Sequence, residues 1–322
     1  IAYTADPEGL DPQRTAAVAT LEVASNIFDT LITCDPEWNI IPDIAKDWKV
    51  ADDGMSVTFY LNEGVLFHNG REMTANDVKY SFERLKGAES PKASMYENIK
   101  SIDIEDDYTI TFTTEKLDVD LLCSFAYPWA AIIPEECSDD LKTNPVGTGA
   151  YKFVEWTPQQ SVKLVRNDDY FQGASALPGV VIKIVPDTET QTMMFESGQL
   201  DLLDMDYMTE QIDRFQEAYP DQMVSGPRLG TTYFTMNQKI EPFDNLQVRK
   251  AVQMAIDRQV ILDTLYGGRG QLENGIFPHG LIGFNPDMPE IKYDPEGAKA
   301  LLAEAGYPNG FKTTISVRED YT

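Results

Sequence analysis

Imidazole and thiol groups are scarce in this chain, which has two histidines and three cysteines in 322 residues. Cys34, Cys123 and Cys137 form no Cys-x-x-Cys pair, and no histidine lies within a few residues of any of them. The ligand spacing of a zinc site is therefore missing. Cys123 and Cys137 could pair in an exported protein. The odd count, and apolar neighbours such as Leu122 and Phe125, suit buried free thiols better. His68 stands in His68-Asn69-Gly70 and reads as a turn histidine bonded to the backbone rather than as a ligand or base. There is no His-Glu-x-x-His, no Gly-x-Ser-x-Gly, no P-loop and no cysteine-histidine cluster. With 53 acidic residues, carboxylate pairs arise by chance and do not argue for a glycosidase. Gly147-Thr148-Gly149 invites a phosphate-cradle reading. No third glycine follows at the dinucleotide-binding spacing, however, and a strand rather than a helix comes next. No repeat suggests an adhesive module. The residues point to binding without turnover and without a cofactor.

The net charge is −27. Nucleic-acid backbones and anionic membrane surfaces would be repelled. A solvated acidic surface explains this charge better than attraction of cationic ligands, because the acids are spread along the whole chain. The 42% hydrophobic and 11% aromatic content is that of a globular protein. No apolar run is long enough to span a bilayer; the opening residues do not read as a signal peptide, and an exported protein is expected to appear here as its trimmed mature part. The opening Ile1-Ala2-Tyr3-Thr4 already reads as a buried strand.

Ser56 to Leu85 holds the clearest local pattern. Val57, Phe59 and Leu61 alternate with polar positions, as in a half-buried strand. Gly64 breaks it, and Asn69-Gly70 supplies a tight turn. Thr74 and Asp77 form a variant capping box for a helix with Val78, Phe82 and Leu85 on one face. Before this stretch, the spacing of Ala17, Leu21, Ala24, Phe28 and Leu31 predicts a helix from Thr15 to about Thr30. After it, strands are expected at Tyr108–Phe112, around Val162–Leu164, at Val180–Val185 and at Thr231–Asn237. Helices are expected at Thr188–Gly198, after a cap at Asp244, from Asp257 to Gly267, and from Asp294 to Gly306. Phe311 to Val317 reads as a strand just begun. Tyr127-Pro128-Trp129, in an apolar run, is either a binding wall or core.

Several of these stretches resemble the family 5 extracellular solute-binding proteins, the oligopeptide-, dipeptide- and nickel-binding proteins of ABC importers. The resemblance rests on Gly64-Val65, Phe67-His68-Asn69-Gly70 and Thr74-Ala75-Asn76-Asp77-Val78. It extends through Leu10-Asp11-Pro12, Ile44-Ala45-Lys46-Asp47-Trp48, Val146-Gly147-Thr148-Gly149-Ala150-Tyr151, Arg166-Asn167-Asp168-Asp169-Tyr170 and Gly198-Gln199-Leu200-Asp201. It ends with Pro242-Phe243, Val248-Arg249-Lys250-Ala251, Ala255-Ile256-Asp257-Arg258 and Tyr293-Asp294-Pro295-Glu296. These landmarks occur in the family's order along the whole chain. Departures are Asn62, where the family usually has Lys or Arg, and Ala150, where it usually has proline.

The resemblance implies an α/β, periplasmic-binding-protein-like two-lobed fold of type II, in the large peptide-binding class, closing on its ligand about a hinge. The main part of the first lobe is expected at residues 1–40 and 148–236, with an inserted subdomain at 41–147. The second lobe begins at 237 and is expected to be incomplete within 237–322, as in an N-terminal fragment of a longer family member. The implied function is capture of short peptides in an interlobe cleft and delivery to ABC transporter permease subunits. Oligosaccharides or a nickel chelate are the alternative ligands. The implied location is outside the cell, in the periplasm or held on the outer membrane face by a lipid anchor absent from this chain. A monomer is expected, with no metal and no nucleic-acid partner. Within the chain, the ligand-binding residues expected are Asp6 in the loop Ala5–Gly9, Tyr127 and Trp129, and Tyr233 and Thr235, which would share one strand face.

Overall fold

The computed structural model describes residues 1–205, 208–226, 230–279, 281 and 284–316. The chain divides into two compact units, Ile1–Tyr207 and Met208–Thr322.

The first unit opens with β1 (Ala2–Tyr3), a 3-10 turn at Pro12–Arg14 and α1 (Val18–Ala24). The helix expected to reach Thr30 thus ends early. The Ser25 hydroxyl donates to the Leu21 carbonyl at 2.7 Å, and the Asn26 amide to the Glu22 carbonyl at 2.9 Å. Such side chains compete for helix carbonyls. The Asn26 and Ile27 carbonyls instead accept the Tyr151 and Gly149 N–H groups at 3.0 and 2.9 Å. β2 (Ile32–Cys34) and β3 (Ile40–Pro42) then form an antiparallel hairpin.

A second sheet follows. β4 (Ala45–Val50), β5 (Ser56–Leu61), α2 (Ala75–Leu85), β6 (Ile99–Asp106) and β7 (Thr109–Thr114) give an antiparallel sheet in the order β4-β5-β7-β6. The period of two sorts β5 as expected, burying Val57, Phe59 and Leu61. Its register sets Val57 against Phe112 and Phe59 against Ile110. The Thr74 N–H donates to Asp77 Oδ2 at 2.9 Å, which closes the N-terminus of α2. The α2 stripe Val78, Phe82 and Leu85 packs into the core of this sheet. Phe59, Phe82, Phe112 and Phe125 meet there edge to face, with centroids 4.8–5.9 Å apart. Each such ring contributes about 1.5–3 kcal/mol by leaving water.

The chain then passes α3 (Leu121–Ser124) and a 3-10 turn at Pro128–Ala130, and returns through β8 (Tyr151–Thr157), β9 (Ser161–Arg166) and β10 (Gly179–Ile184). These strands complete a sheet in the order β1-β10-β9-β8. β1 runs parallel to β10 with Ala2 opposite Lys183, and the other pairs are antiparallel. Its core gathers Leu10, Val23, Ile27, Phe28, Ile133, Val162, Leu164 and Ile182. α4 (Thr188–Glu196) follows, capped by Asp187.

The second unit contains α5 (Ile212–Ala218), α6 (Leu246–Met254), α7 (Arg258–Leu265) and α8 (Pro295–Glu304). Asp257 caps α7, and Asp294 caps α8 with Pro295 in its first turn. Gly306 closes α8 with φ +92°. The cap of α6 is Asn245, which accepts the Gln247 N–H at 2.8 Å, not Asp244. Residues 231–237 form no strand. Alternation alone does not make a strand: among the described residues none pairs with this segment, and its backbone groups have no ladder to join. Residues 311–316 form no strand either, and Val317 lies outside the described residues.

The thiols are also placed differently from expectation. Cys34 and Cys123 are exposed and Cys137 is intermediate; all three are free. In α3 it is Leu121 and Ser124 that face inward, which turns Cys123 outward. No helix among the described residues is long and apolar enough to cross a membrane.

Candidate functional site

The Gly147-Thr148-Gly149 turn is a packing point. A Cβ on Gly147 would lie 2.1 Å from the Ile27 carbonyl oxygen, and one on Gly149 would lie 2.5 Å from the Ile27 carbonyl carbon. Both glycines are needed for close backbone approach, not for a phosphate. His68 reads this turn from its own turn. Its N–H donates to the Gly147 carbonyl at 2.8 Å, its Nε2 lies 2.9 Å from the Gly149 carbonyl oxygen, and the Gly147 N–H approaches Nδ1 at 3.4 Å. A donor at Nε2 and an acceptor at Nδ1 describe the neutral ring. Burial, opposed by the Gly149 contact, pushes its pKa down to about 4. Asn167 completes the turn by donating its side-chain amide to the Gly149 carbonyl at 3.1 Å.

The same turn leads to two buried acids that the sequence patterns did not single out. Asp29 accepts the Thr148 hydroxyl at 2.7 Å and the Tyr170 hydroxyl at 3.0 Å. Asp43 accepts the Thr30 N–H at 3.1 Å and the Gln172 amide at 2.7 Å. Both residues are less than a tenth exposed. Burial raises the Asp29 pKa against its two hydrogen bonds; burial and then the Asp29 charge raise that of Asp43. Asn62 fastens the neighbouring backbone, donating to the Asp43 and Ile44 carbonyls at 2.9 and 3.1 Å. The available signal was an acid inside the apolar stripe of Phe28-Asp29-Thr30-Leu31.

Asp6 uses both carboxylate oxygens within the first unit. It accepts Trp156 Nε1 at 3.0 Å and the Gln159 N–H at 2.8 Å, tying the Ala5–Gly9 loop to the β8–β9 hairpin. Tyr127 and Trp129 stack on each other, with centroids 4.5 Å apart and planes 17° apart. Trp129 is half-buried against the core of the second sheet and donates Nε1 to the Tyr96 hydroxyl at 3.1 Å. Lys92 Nζ lies 4.5 Å from the Trp129 ring centroid. Tyr127 is 42% exposed and presents the open ring of the pair. Tyr233 and Thr235, in the second unit, are both exposed on an irregular segment. The structure brings Tyr127 and Trp129 together.

The second unit holds a cavity of about 390 Å³ lined by Glu273, Ile276, Phe277, His279, Phe284 and Met288 among others. His279 Nδ1 lies 2.7 Å from Glu273 Oε1, which also accepts the His279 N–H at 3.1 Å. Among the described residues no group of three or more His, Cys, Asp or Glu side chains is placed to hold a metal ion.

Residues 39–322 match the family described as "Bacterial extracellular solute-binding proteins, family 5 Middle". Heme-binding protein A of Haemophilus influenzae is 33% identical over 87% of this chain and 56% of its own length. The dipeptide-binding protein of Escherichia coli is 27% identical over 96% of this chain and 63% of its own. The chain thus spans about three fifths of the length of these curated relatives. Among solved structures, the periplasmic binding protein DppA from Helicobacter pylori in complex with peptide STSA aligns with a TM-score of 0.85 and 29% identity, over 97% of this chain and 66% of that one. The oligopeptide-binding protein AppA from Bacillus subtilis, in complex with a nonapeptide, aligns with a TM-score of 0.82 and 25% identity, over 94% of this chain and 63% of that one. The fold is that of the type II periplasmic peptide-binding proteins. The chain belongs to the family 5 bacterial extracellular solute-binding proteins, a family of binding proteins rather than enzymes.

Proposed function

We propose that this chain serves as the extracellular solute-binding component of an ABC importer, capturing short peptides and handing them to permease subunits. The observation that carries this reading is the likeness along nearly the whole chain to peptide-bound DppA. The names of the relatives support it: a dipeptide-binding protein and an oligopeptide-binding protein are among them. The protein turns nothing over, works outside the cell as a monomer, and meets the membrane only through its importer and a lipid anchor. The main part of the first lobe is assigned to residues 1–40 with 148–236, its inserted subdomain to 41–147, and the second lobe to 237 onward. Oligosaccharides and nickel chelates are the alternative ligands; a relative bound to Ni(L-His) shares the fold.

In this reading Tyr127 offers its exposed ring to the ligand and Trp129 backs it, while Asp6 holds the Ala5–Gly9 loop in shape. Tyr233 and Thr235, just before the second lobe begins, are the remaining contacts assigned to the ligand. Titration calorimetry against di-, tri- and longer peptides, oligosaccharides and nickel chelates tests the assignment. Peptide binding without product formation is expected. Hydrolysis of a bound peptide, or binding of sugars or chelates in place of peptides, would overturn it.

A further inference from the structure

Asp29 and Asp43 stand where the chain passes between the two cores of the first unit. Ile27 and Phe28 belong to the core of the β1-β10-β9-β8 sheet, whereas Leu31, Ile32 and Ile44 belong to that of the β4-β5-β7-β6 sheet. Backbone bonds stitch this seam. The Ile44 N–H donates to the Thr30 carbonyl at 3.1 Å, the Ala45 N–H to that of Leu31 at 2.8 Å, and the Ile132 N–H to that of Asp29 at 3.1 Å. The donors facing the carboxyl groups include the Thr148 and Tyr170 hydroxyls, the Thr30 N–H and the Gln172 amide, and all of these are neutral. Among the described residues, no cation pairs with either acid. Asp43 accepts the N–H of the residue that follows Asp29, so two buried acids stand on one seam without a counter-ion and cannot both ionise cheaply.

We propose that Asp29 and Asp43 form a proton-binding site that holds one proton between them near neutral pH, and that its release as the pH rises sets two like charges against each other in the seam between the two sheets. The step is a simple ionisation. One carboxyl O–H bond breaks, the proton passes to water, and the pair goes from one negative charge to two. Tyr170 is the other titratable group in contact, and burial beside the acids keeps it protonated. His68 touches the adjoining turn through Gly147 and Gly149, and it is neutral in the same range. Peptide binding is not needed for this site, so its test does not depend on the proposed function.

Carboxyl-carbon NMR of the 322-residue protein labelled at aspartate decides the matter. The expected result is a shared neutral carboxyl at about pH 6, with an upper titration step that belongs to the Asp29–Asp43 pair. Two fully ionised carboxylates at that pH in the wild-type protein would overturn the proposal, whatever the variants do. Asp43→Asn and Asp29→Asn are each expected to remove the upper step; its survival in both variants also overturns it. Hydrogen exchange reads the seam. Protection of the Ile44 and Ala45 amides should fall above neutrality by more than intrinsic base catalysis in the wild type. The extra loss should be absent in Asp43→Asn, and an extra loss of equal size in that variant counts against the proposal.

Discussion

The Nε2 atom of His68 lies 2.9 Å from the Gly149 carbonyl oxygen while its Nδ1 faces the Gly147 N–H at 3.4 Å. The second contact needs a lone pair, so protonating the ring sets two N–H groups against each other. The folded-state pKa of about 4 lies below the ordinary value of 6.5. The native state therefore binds fewer protons than the unfolded one between those values. The stabilisation is complete above pH 6.5 and is lost as the pH falls toward 4. Its size is about 2 kcal/mol once partial solvation is allowed for. Urea denaturation should show this acid-side slope in the wild type and its loss in His68→Asn. Equal slopes would remove His68 from the account. Asp29 and Asp43 act with the opposite sign. Their raised values make a contribution that is complete below the ordinary carboxylate range and is lost as the pH rises toward about 7.

Gly149→Ala should destabilise the protein by about 3 kcal/mol, because its Cβ would meet backbone that cannot move aside. Gly226→Ala is the control. Among the described residues nothing lies within 4 Å of a Cβ there, and a change within about 0.5 kcal/mol is expected. Denaturant midpoints for the two variants check the contrast, and similar values would count against the close-approach reading.

Arg84 donates to Asp11 at 3.1 and 2.5 Å and to the Gln13 side chain at 3.0 Å, with both charged groups nearly buried. Arg84→Met leaves the Asp11 carboxylate without its cation and should cost about 3–5 kcal/mol. The double variant with Asp11→Leu should lose less than the sum of the single losses. A double-mutant cycle of chemical denaturation measures the difference, and strict additivity would show that the pair is not coupled.

Tyr127→Ala and Trp129→Ala should separate binding from packing. Tyr127 is largely in water, so its removal should cost under about 1 kcal/mol of stability and weaken peptide binding by about 1–3 kcal/mol. Trp129→Ala should cost about 2–4 kcal/mol of stability through lost packing and the Tyr96 hydrogen bond. Calorimetry and denaturation on both variants read the two effects; unchanged affinity in Tyr127→Ala would remove that ring from the site.

Local patterns were legible wherever the burial they implied was supplied by nearby chain. The alternation in β5, the Thr74–Asp77 cap and the α2 stripe all appear as read. Asp294 caps as expected, and Asp257 caps the helix expected to start there, for the same reason: the acceptor and the free N–H groups lie within one turn. Failures came where a distant partner decides. The stripe through Phe28 and Leu31 is apolar for two separate cores, not for one helix face. Tyr233 and Thr235 alternate without a neighbouring strand to use that alternation. Asp29 and Asp43 were invisible as a pair because their meeting depends on Thr148, Tyr170 and Gln172, far along the sequence.

The parallel pairing of β1 with β10 joins the start of the chain to Lys183 and Ile184. The β4-β5-β7-β6 sheet, in contrast, draws all its strands from residues 45–114. Loop closure makes sequence-distant contacts slow and costly in chain entropy, while sequence-near hairpins close quickly. During synthesis the later-numbered sheet partner of β1 does not yet exist when residues 45–114 have emerged. The strands of residues 45–114 thus have all their sheet partners before β10 has been made, whereas β1 has none until β10 arrives to complete a sheet that surrounds the other in sequence.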